Sequence, residues 1–256
     1  MFRTLLAKEF LEQRRTSKLL IFLAVFFIAG CISPLLAKYT PEMIGAIPNV
    51  SPELADLFAK AFPEPGLKDA IDQYAKNVSQ FGVLLVIVLT MNVIAQERER
   101  GTAAMLFSKP VKRSAFVLSK WLAGMATMTV SVILGSSACA IYTVILFGSL
   151  PIGPFLIFNL LLLVFLAVYL ALALLASALA RSQGMAAAMA FGILAVLLVL
   201  SSLPRISNYS PAGLLTWGSV MVYGNSTANW PALIVSLVIV VGCVLVASLH
   251  LDRQEI

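Results

Sequence analysis

The densest group of charged and polar residues in this sequence lies between residues 96 and 120. It opens with charges of alternating sign at Glu97, Arg98, Glu99 and Arg100. The apolar stretch 103–107 follows, Pro110 ends any helix there, and a basic pair at 112–113 precedes a long apolar run. The pattern predicts a short helix at a membrane surface, with an apolar side that a partner could contact. A charged loop that only fixes the orientation of the chain is an equal alternative.

Neither ATP hydrolysis nor metal chemistry has the residues it needs in this sequence. No Gly-Lys dipeptide occurs, so the chain has no phosphate-binding P-loop. His250 is the only histidine, and the cysteines (Cys31, Cys139 and Cys243) lie in apolar runs without the spacing of metal ligands. We therefore expect a chain that is not an enzyme and has no catalytic residue, metal site or cofactor.

The elements that position the charged segment are predicted to be membrane helices. Sixty per cent of the 256 residues are apolar and 12% are charged, against roughly 25% charged in soluble domains, and the mean hydropathy is +0.96. Six apolar runs reach the length of about 20 residues that a helix needs to cross a bilayer. They cover residues 19–37, 78–95, 121–147, 155–179, 185–203 and 231–249. We predict an all-α integral membrane protein in which residues 1–256 form one domain with six transmembrane helices.

The basic residues predict the orientation of the chain. Most of the 18 Lys and Arg residues fall on the side that carries the N-terminus. The exceptions are Lys38, Lys60, Lys68, Lys76 and Arg205. By the positive-inside rule both termini are cytoplasmic, and segments 38–77 and 204–230 are extracytoplasmic. The same rule accounts for the net charge of +6, so we expect no nucleic-acid partner.

Residues 1–18 are predicted to form an interfacial helix that leads into the first span. Phe2, Leu5, Leu6 and Phe10 share one helical face, and Glu9 interrupts that face. Either the helix does not lie fully on the membrane, or Glu9 has a basic partner in another segment. A solvated basic leader is the alternative.

Three further patterns predict local structure. Ser51, Pro52 and Glu53 are typical of a helix start, and the apolar spacing over 54–62 predicts a short amphipathic helix on the outer face. Residues 211–222 are predicted to form a second short helix that dips into the outer leaflet. In the fifth span, Gly184, Ala188 and Gly192 form a small-residue stripe. We expect this stripe to pack within the chain; contact with a second copy is the alternative.

The charged segment resembles a known family. The runs 99–102, 106–113 and 116–120 are similar to the pattern in permease subunits of type 2 ABC exporters, in particular the small six-span permeases such as those serving nitrous-oxide-reductase maturation. In that family the segment is the coupling helix, which docks into a cleft of the ATPase. The run 7–10, followed by the basic pair at 14–15, resembles the N-terminal connecting helix of the family.

The resemblance implies two groups of site residues. Those expected to couple the chain to an ATPase are Glu97, Arg98, Glu99, Arg100, Gly101, Thr102, Met105, Leu106, Ser108, Pro110, Lys112 and Arg113. Those expected on the connecting helix are Lys8, Glu9, Arg14 and Arg15. Glu9 would then belong to a polar contact between the connecting and coupling helices.

The resemblance also implies a function. The chain would be the permease subunit of an ABC exporter in the inner membrane of a prokaryote, in contact with membrane lipid. It would pair with a second permease, identical or different, and with a separate ABC ATPase subunit. Two alternatives stay open: a membrane scaffold or assembly factor, and an ion-coupled carrier. The absence of acidic residues from the predicted spans disfavours the carrier.

Overall fold

The structure is a computed structural model that describes residues 2–45, 65–99, 101, 113–224 and 228–252. Throughout these residues the regular structure is helical, and six helical segments are long and apolar enough to cross a membrane. They are Lys18–Thr40, Leu67–Glu99, Arg113–Phe147, Ile152–Leu179, Gln183–Ser202 and Trp230–Asp252. The predicted fold class is therefore confirmed. The predicted helix over 54–62, and the coupling residues Arg100 and 102–112, lie outside the described residues.

The helices are numbered along the chain. They are α1 (Phe2–Arg15), α2 (Lys18–Gly45), α3 (Leu67–Asn77), α4 (Val83–Thr90), α5 (Ala95–Glu99), α6 (Arg113–Phe147), α7 (Ile152–Leu179), α8 (Gln183–Ser202), α9 (Pro204–Ser207), α10 (Ala212–Val222) and α11 (Trp230–Asp252). Because the six spans alternate in direction, the bundle has a near side, which carries α1 and α5, and a far side, which carries α9 and α10. The short helix predicted over 211–222 is present as α10.

The second span differs most from its prediction. It begins at Leu67 and consists of α3, a π-helical turn over Val78–Gly82, α4, a turn over 91–94, and α5. Hydropathy alone misses α3 because that helix is amphipathic. Its buried face, which includes Ile71 and Tyr74, packs on α2, while lysines and aspartates occupy the other positions. The Asp69 carboxylate also accepts a hydrogen bond from the Gly66 amide at 2.9 Å, which stabilises the start of α3.

Close helix packing occurs where α2 crosses α6. A Cβ built at Gly30 would lie 2.1 Å from the carbonyl oxygen of Gly135, and one built at Gly135 would lie 2.6 Å from the carbonyl oxygen of Phe26. Neither position therefore accepts a side chain unless the two backbones separate. This pair of glycines lets the helices approach as in other small-residue membrane contacts.

The centre of the bundle is α7, and α8 lies at its edge. α7 contacts α4, α6, α8, α10 and α11. In its most apolar stretch 67% of the residues are buried, compared with 11% for α8. A Cβ added at Gly184 or Gly192 would have no other atom within 4 Å, and Ala188 is exposed. The expectation that this stripe packs within the chain is therefore wrong for the described residues, because the stripe faces away from the bundle.

Candidate coupling site

The first element of the site is α1, which packs against α6 on the near side. Its buried residues are Leu5 and Glu9, whereas Phe10 and Leu11 are exposed. Ser17, with φ of 56°, forms the sharp turn from α1 into α2. Glu9 thus points toward the bundle, and it has a basic partner in another segment, which is one of the two alternatives that the sequence leaves open.

Two lysines and two glutamates from three helices meet in a buried cluster. The Lys120 Nζ of α6 donates to Glu9 Oε1 at 3.0 Å and to Glu97 Oε1 at 2.9 Å. The Lys8 Nζ of α1 donates to the same Glu97 oxygen at 2.7 Å and lies 3.6 Å from Glu9 Oε1. The side chain of Lys120 has 0% of its surface exposed, that of Glu9 has 5% and that of Glu97 has 12%. We call these four residues the ion-pair cluster.

The charges of the ion-pair cluster are balanced, which is what its burial requires. An isolated charge in a low-dielectric interior is costly, and removal of one partner leaves the other uncompensated. Glu9, Glu12 and Glu97 bring carboxylate oxygens within 4.8 Å of one another, a spacing that a metal ion could use. In this structure, however, the ammonium groups of Lys8 and Lys120 lie among those oxygens and supply the positive charge.

Lys8 is the least buried member of the ion-pair cluster, and 42% of its side chain is exposed. Partial burial alone would lower its pKa. The hydrogen bond and the charge of Glu97, with the charges of Glu9 and Glu12, outweigh that effect and raise the pKa of Lys8 above its ordinary value. Lys8 therefore remains protonated at neutral pH, and the cluster stays paired.

The turn that precedes α5 is held by Ser177 of α7. The backbone amides of Ile94 and Ala95 both donate to the Ser177 hydroxyl, at 2.9 and 3.0 Å. The interruption of the helix over 91–94 deprives these buried amides of their usual partners, and the hydroxyl replaces them. Ser177 of α7 thus fixes the position at which the second span is interrupted.

The last two residues of α5 bind the turn between α7 and α8. Arg98 Nη1 donates to the carbonyl oxygens of Ala178 and Ala180, at 3.0 and 3.1 Å, at the C-terminal end of α7. The Glu99 carboxylate accepts a bond from the Gln183 amide at 3.4 Å, at the start of α8. Each charge sits at the helix end whose partial charge it complements.

The structure brings together part of the predicted site. Lys8, Glu9 and Glu97 join the ion-pair cluster, Arg98 and Glu99 bind the α7–α8 turn, and Arg113 donates to the carbonyl of Leu251 at the end of α11. Gly101 has a φ of 69°, a conformation that glycine adopts readily. Arg14 and Arg15 are exposed and lie apart from the cluster. The remaining predicted residues (Arg100, Thr102, Met105, Leu106, Ser108, Pro110 and Lys112) lie outside the described part of the chain.

Sequence reasoning missed the two residues that complete the site. In the sequence, Lys120 is one of the basic residues that set the orientation and the last residue of the run 116–120 that carries the resemblance, but it is not among the predicted site residues. A signal was nonetheless available, because Lys120 follows the apolar run 115–118 and directly precedes Trp121 and a membrane span, where a charge needs a partner. Ser177 carries no such signal, because serines are common in membrane helices.

Together these contacts connect the near-side ends of several helices. The described chain on either side of residues 102–112 is fastened to α1, to the α7–α8 turn and to the end of α11. The groups involved are ammonium, guanidinium, carboxylate and hydroxyl groups that already bind one another.

The comparisons with known proteins agree with this architecture. Residues 3–209 match the family described as ABC-2 family transporter protein. The uncharacterized transmembrane protein YxlG of Bacillus subtilis (strain 168) is 29% identical over 209 residues, which are 81% of this chain and 80% of that protein. The family match runs from α1 through α9 and so includes the ion-pair cluster and the α7–α8 turn. This multi-pass chain therefore belongs to the ABC-2 transporter family, whose members are membrane components of ABC transporters.

Proposed function

We propose that this chain is the permease subunit of an ABC exporter and that a separate ATPase subunit docks on residues 96–120. The family supports an ATPase partner. The observation that carries the docking proposal is the geometry of Glu97. Its carboxylate lies at the start of the proposed docking segment and binds lysines of both α1 and α6 inside a buried cluster.

The same geometry supports a mechanical role for the segment. Closure of the ATPase subunits on ATP would push on residues 97–113. The push would pass through Glu97 to α1 and α6, and through Arg98 and Glu99 to the α7–α8 turn. Since paired contacts resist separation, above all the buried one between Glu97 and Lys120, these helices would shift as a group and open the path for the cargo.

Orientation and assembly complete the proposal. Both termini lie in the cytoplasm of a prokaryote, and cargo moves outward across the inner membrane. Two permeases pair, and each binds one ATPase subunit. The exposed stripe on α8 supports pairing, because its small residues allow a second helix to approach closely.

Co-purification tests the docking proposal directly. The full chain is co-expressed with its candidate ATPase, and the variant R100A/M105A/L106A is compared with wild type for complex yield and stimulated ATPase activity. We expect both to be lost, because the triple variant removes the proposed contact. The matched control is L203A/R205A/I206A, which changes the same types of residue at exposed positions on the far side and leaves the docking segment intact.

Each contrary result selects another function. A triple variant that binds and stimulates the ATPase normally contradicts docking on this segment. Retained ATPase binding without any nucleotide-dependent transport by the wild type indicates a scaffold. Transport that needs an ion gradient and no nucleotide indicates a carrier.

A further inference from the structure

We propose that the far side of this chain binds an amphiphile with an apolar tail and an uncharged, hydroxyl-rich head group. The binding site consists of two adjoining cavities, one polar and one apolar. That the bound molecule is cargo rests on the proposed transport function, whereas the binding itself does not.

The polar cavity lies at the far side, between the end of α8, α9, α10 and the start of α11. Its volume is about 370 Å³, within the range of roughly 300–1,000 Å³ that small-molecule sites occupy. The polar groups that line it are hydroxyls and amides: Ser207, Asn208, Ser210, Thr216 and Asn229. Groups of this kind both donate and accept hydrogen bonds, as the hydroxyls of a sugar or glycerol do.

Trp217 adds an aromatic wall to the polar cavity. Its ring lies 5.7 Å from that of Trp230, centroid to centroid. The ring face suits the C–H face of a sugar or a glycerol backbone.

The second cavity is apolar and lies deeper in the bundle, between the second span, α7, α8 and α10. Its volume is about 560 Å³. The side chains that dominate its wall are Phe81, Leu84, Phe165, Leu194, Leu198 and Leu215. Phe81 and Leu198 are more than half exposed, so the cavity is accessible from the side that faces lipid. An acyl chain or another hydrocarbon tail matches this wall.

The two cavities share part of their walls. Ser201 and Ala212 line both of them, so one molecule can place its head in the polar cavity and its tail in the apolar cavity. The described lining residues of the two cavities carry no charge, and thus none of them would neutralise a phosphate or an ammonium group. A polar cavity without charged side chains, next to an apolar cavity, therefore favours an amphiphile whose head group is polar but uncharged.

Native mass spectrometry of the purified full chain tests this inference without an ATPase. The probes are three lipids with identical oleoyl chains: monogalactosyl diacylglycerol, phosphatidylglycerol and phosphatidylcholine. We expect one copy of the galactosyl lipid per chain, held at least about tenfold more tightly than the anionic phosphatidylglycerol or the zwitterionic phosphatidylcholine.

Two variants locate the site. S201L fills the junction between the two cavities, and we expect it to lower the affinity for the galactosyl lipid about tenfold. The matched control S137L, at an exposed serine on α6, should leave this affinity unchanged. T216V keeps the shape of the wall and removes one hydroxyl, so it should also lower the affinity for the galactosyl lipid. This second variant keeps the test valid if S201L fails to fold. The inference is overturned if the three lipids bind equally, if the chain prefers either phospholipid, or if both variants bind the galactosyl lipid as the wild type does. Because no ATPase is present, the docking proposal and this one can fail separately.

Discussion

At the scale of single residues, Lys120 holds the ion-pair cluster together. Replacement by Met keeps an unbranched apolar side chain and removes the ammonium group that Glu9 and Glu97 share, which lies 4.8 Å from the centroid of the Phe116 ring. We predict that K120M lowers the free energy of unfolding by about 3 kcal/mol, at the low end for a broken buried pair, because Lys8 still neutralises Glu97. Thermal unfolding of the detergent-solubilised chain measures the loss.

A second substitution separates charge from packing at Lys120. The double variant K120M/E9Q removes the carboxylate that K120M leaves with only Lys8, at 3.6 Å, as a basic partner, so part of the lost stability should return. K76M, at an exposed lysine of α3, is the matched control and should change stability by less than about 0.5 kcal/mol. A double variant that is as unstable as the sum of its single changes would show that the pair is not coupled.

At the scale of elements, the break in the second span depends on a single hydroxyl of α7. S177A leaves the buried amides of Ile94 and Ala95 without their acceptor. We predict a loss of about 1–3 kcal/mol in unfolding free energy, and faster hydrogen exchange at these two amides than elsewhere in the span. Exchange measured by mass spectrometry on peptides covering 91–99 tests both the size and the place of the effect.

S131A is the control for the S177A experiment. Ser131 is also buried, but its hydroxyl donates to the Thr127 carbonyl of its own helix, so its removal strands no backbone amide. If S131A and S177A change stability and exchange equally, the Ser177 hydroxyl does not hold the turn.

The elements also show where sequence reasoning works and where it stops. The six spans follow from hydropathy because a bilayer demands long apolar helices. The start of the second span does not follow from hydropathy, because one face of α3 is buried against protein while the other face carries charges. A small-residue stripe looks the same whether it meets its own chain or another, so the pattern at Gly184 and Gly192 does not reveal which surface it faces. Glu9 is recognisable because a charge in an apolar face needs a partner, but the identity of that partner requires the fold.

At the scale of the whole molecule, α8 connects three features. Its first residue contacts Glu99, its small-residue stripe faces outward, and its last turns line both far-side cavities. A helix of this length spans about 30 Å. A displacement of the α7–α8 turn would therefore reach the far side along one rigid element and alter the cavities as it does so.

The exposed stripe makes the pairing of two permeases testable. In a two-fold symmetric dimer, a residue near the axis meets its own copy. We predict that A188C, in a variant whose native cysteines Cys31, Cys139 and Cys243 are replaced by serine, forms a disulfide-linked dimer in membranes under mild oxidation. S137C, equally exposed but on α6, should remain monomeric on a non-reducing gel. Crosslinking by S137C but not A188C would place the contact on α6, and crosslinking by both would indicate random collision. Selective crosslinking at Ala188 would put α8 of each copy against the other, so that a push on one α7–α8 turn acts directly on the second permease.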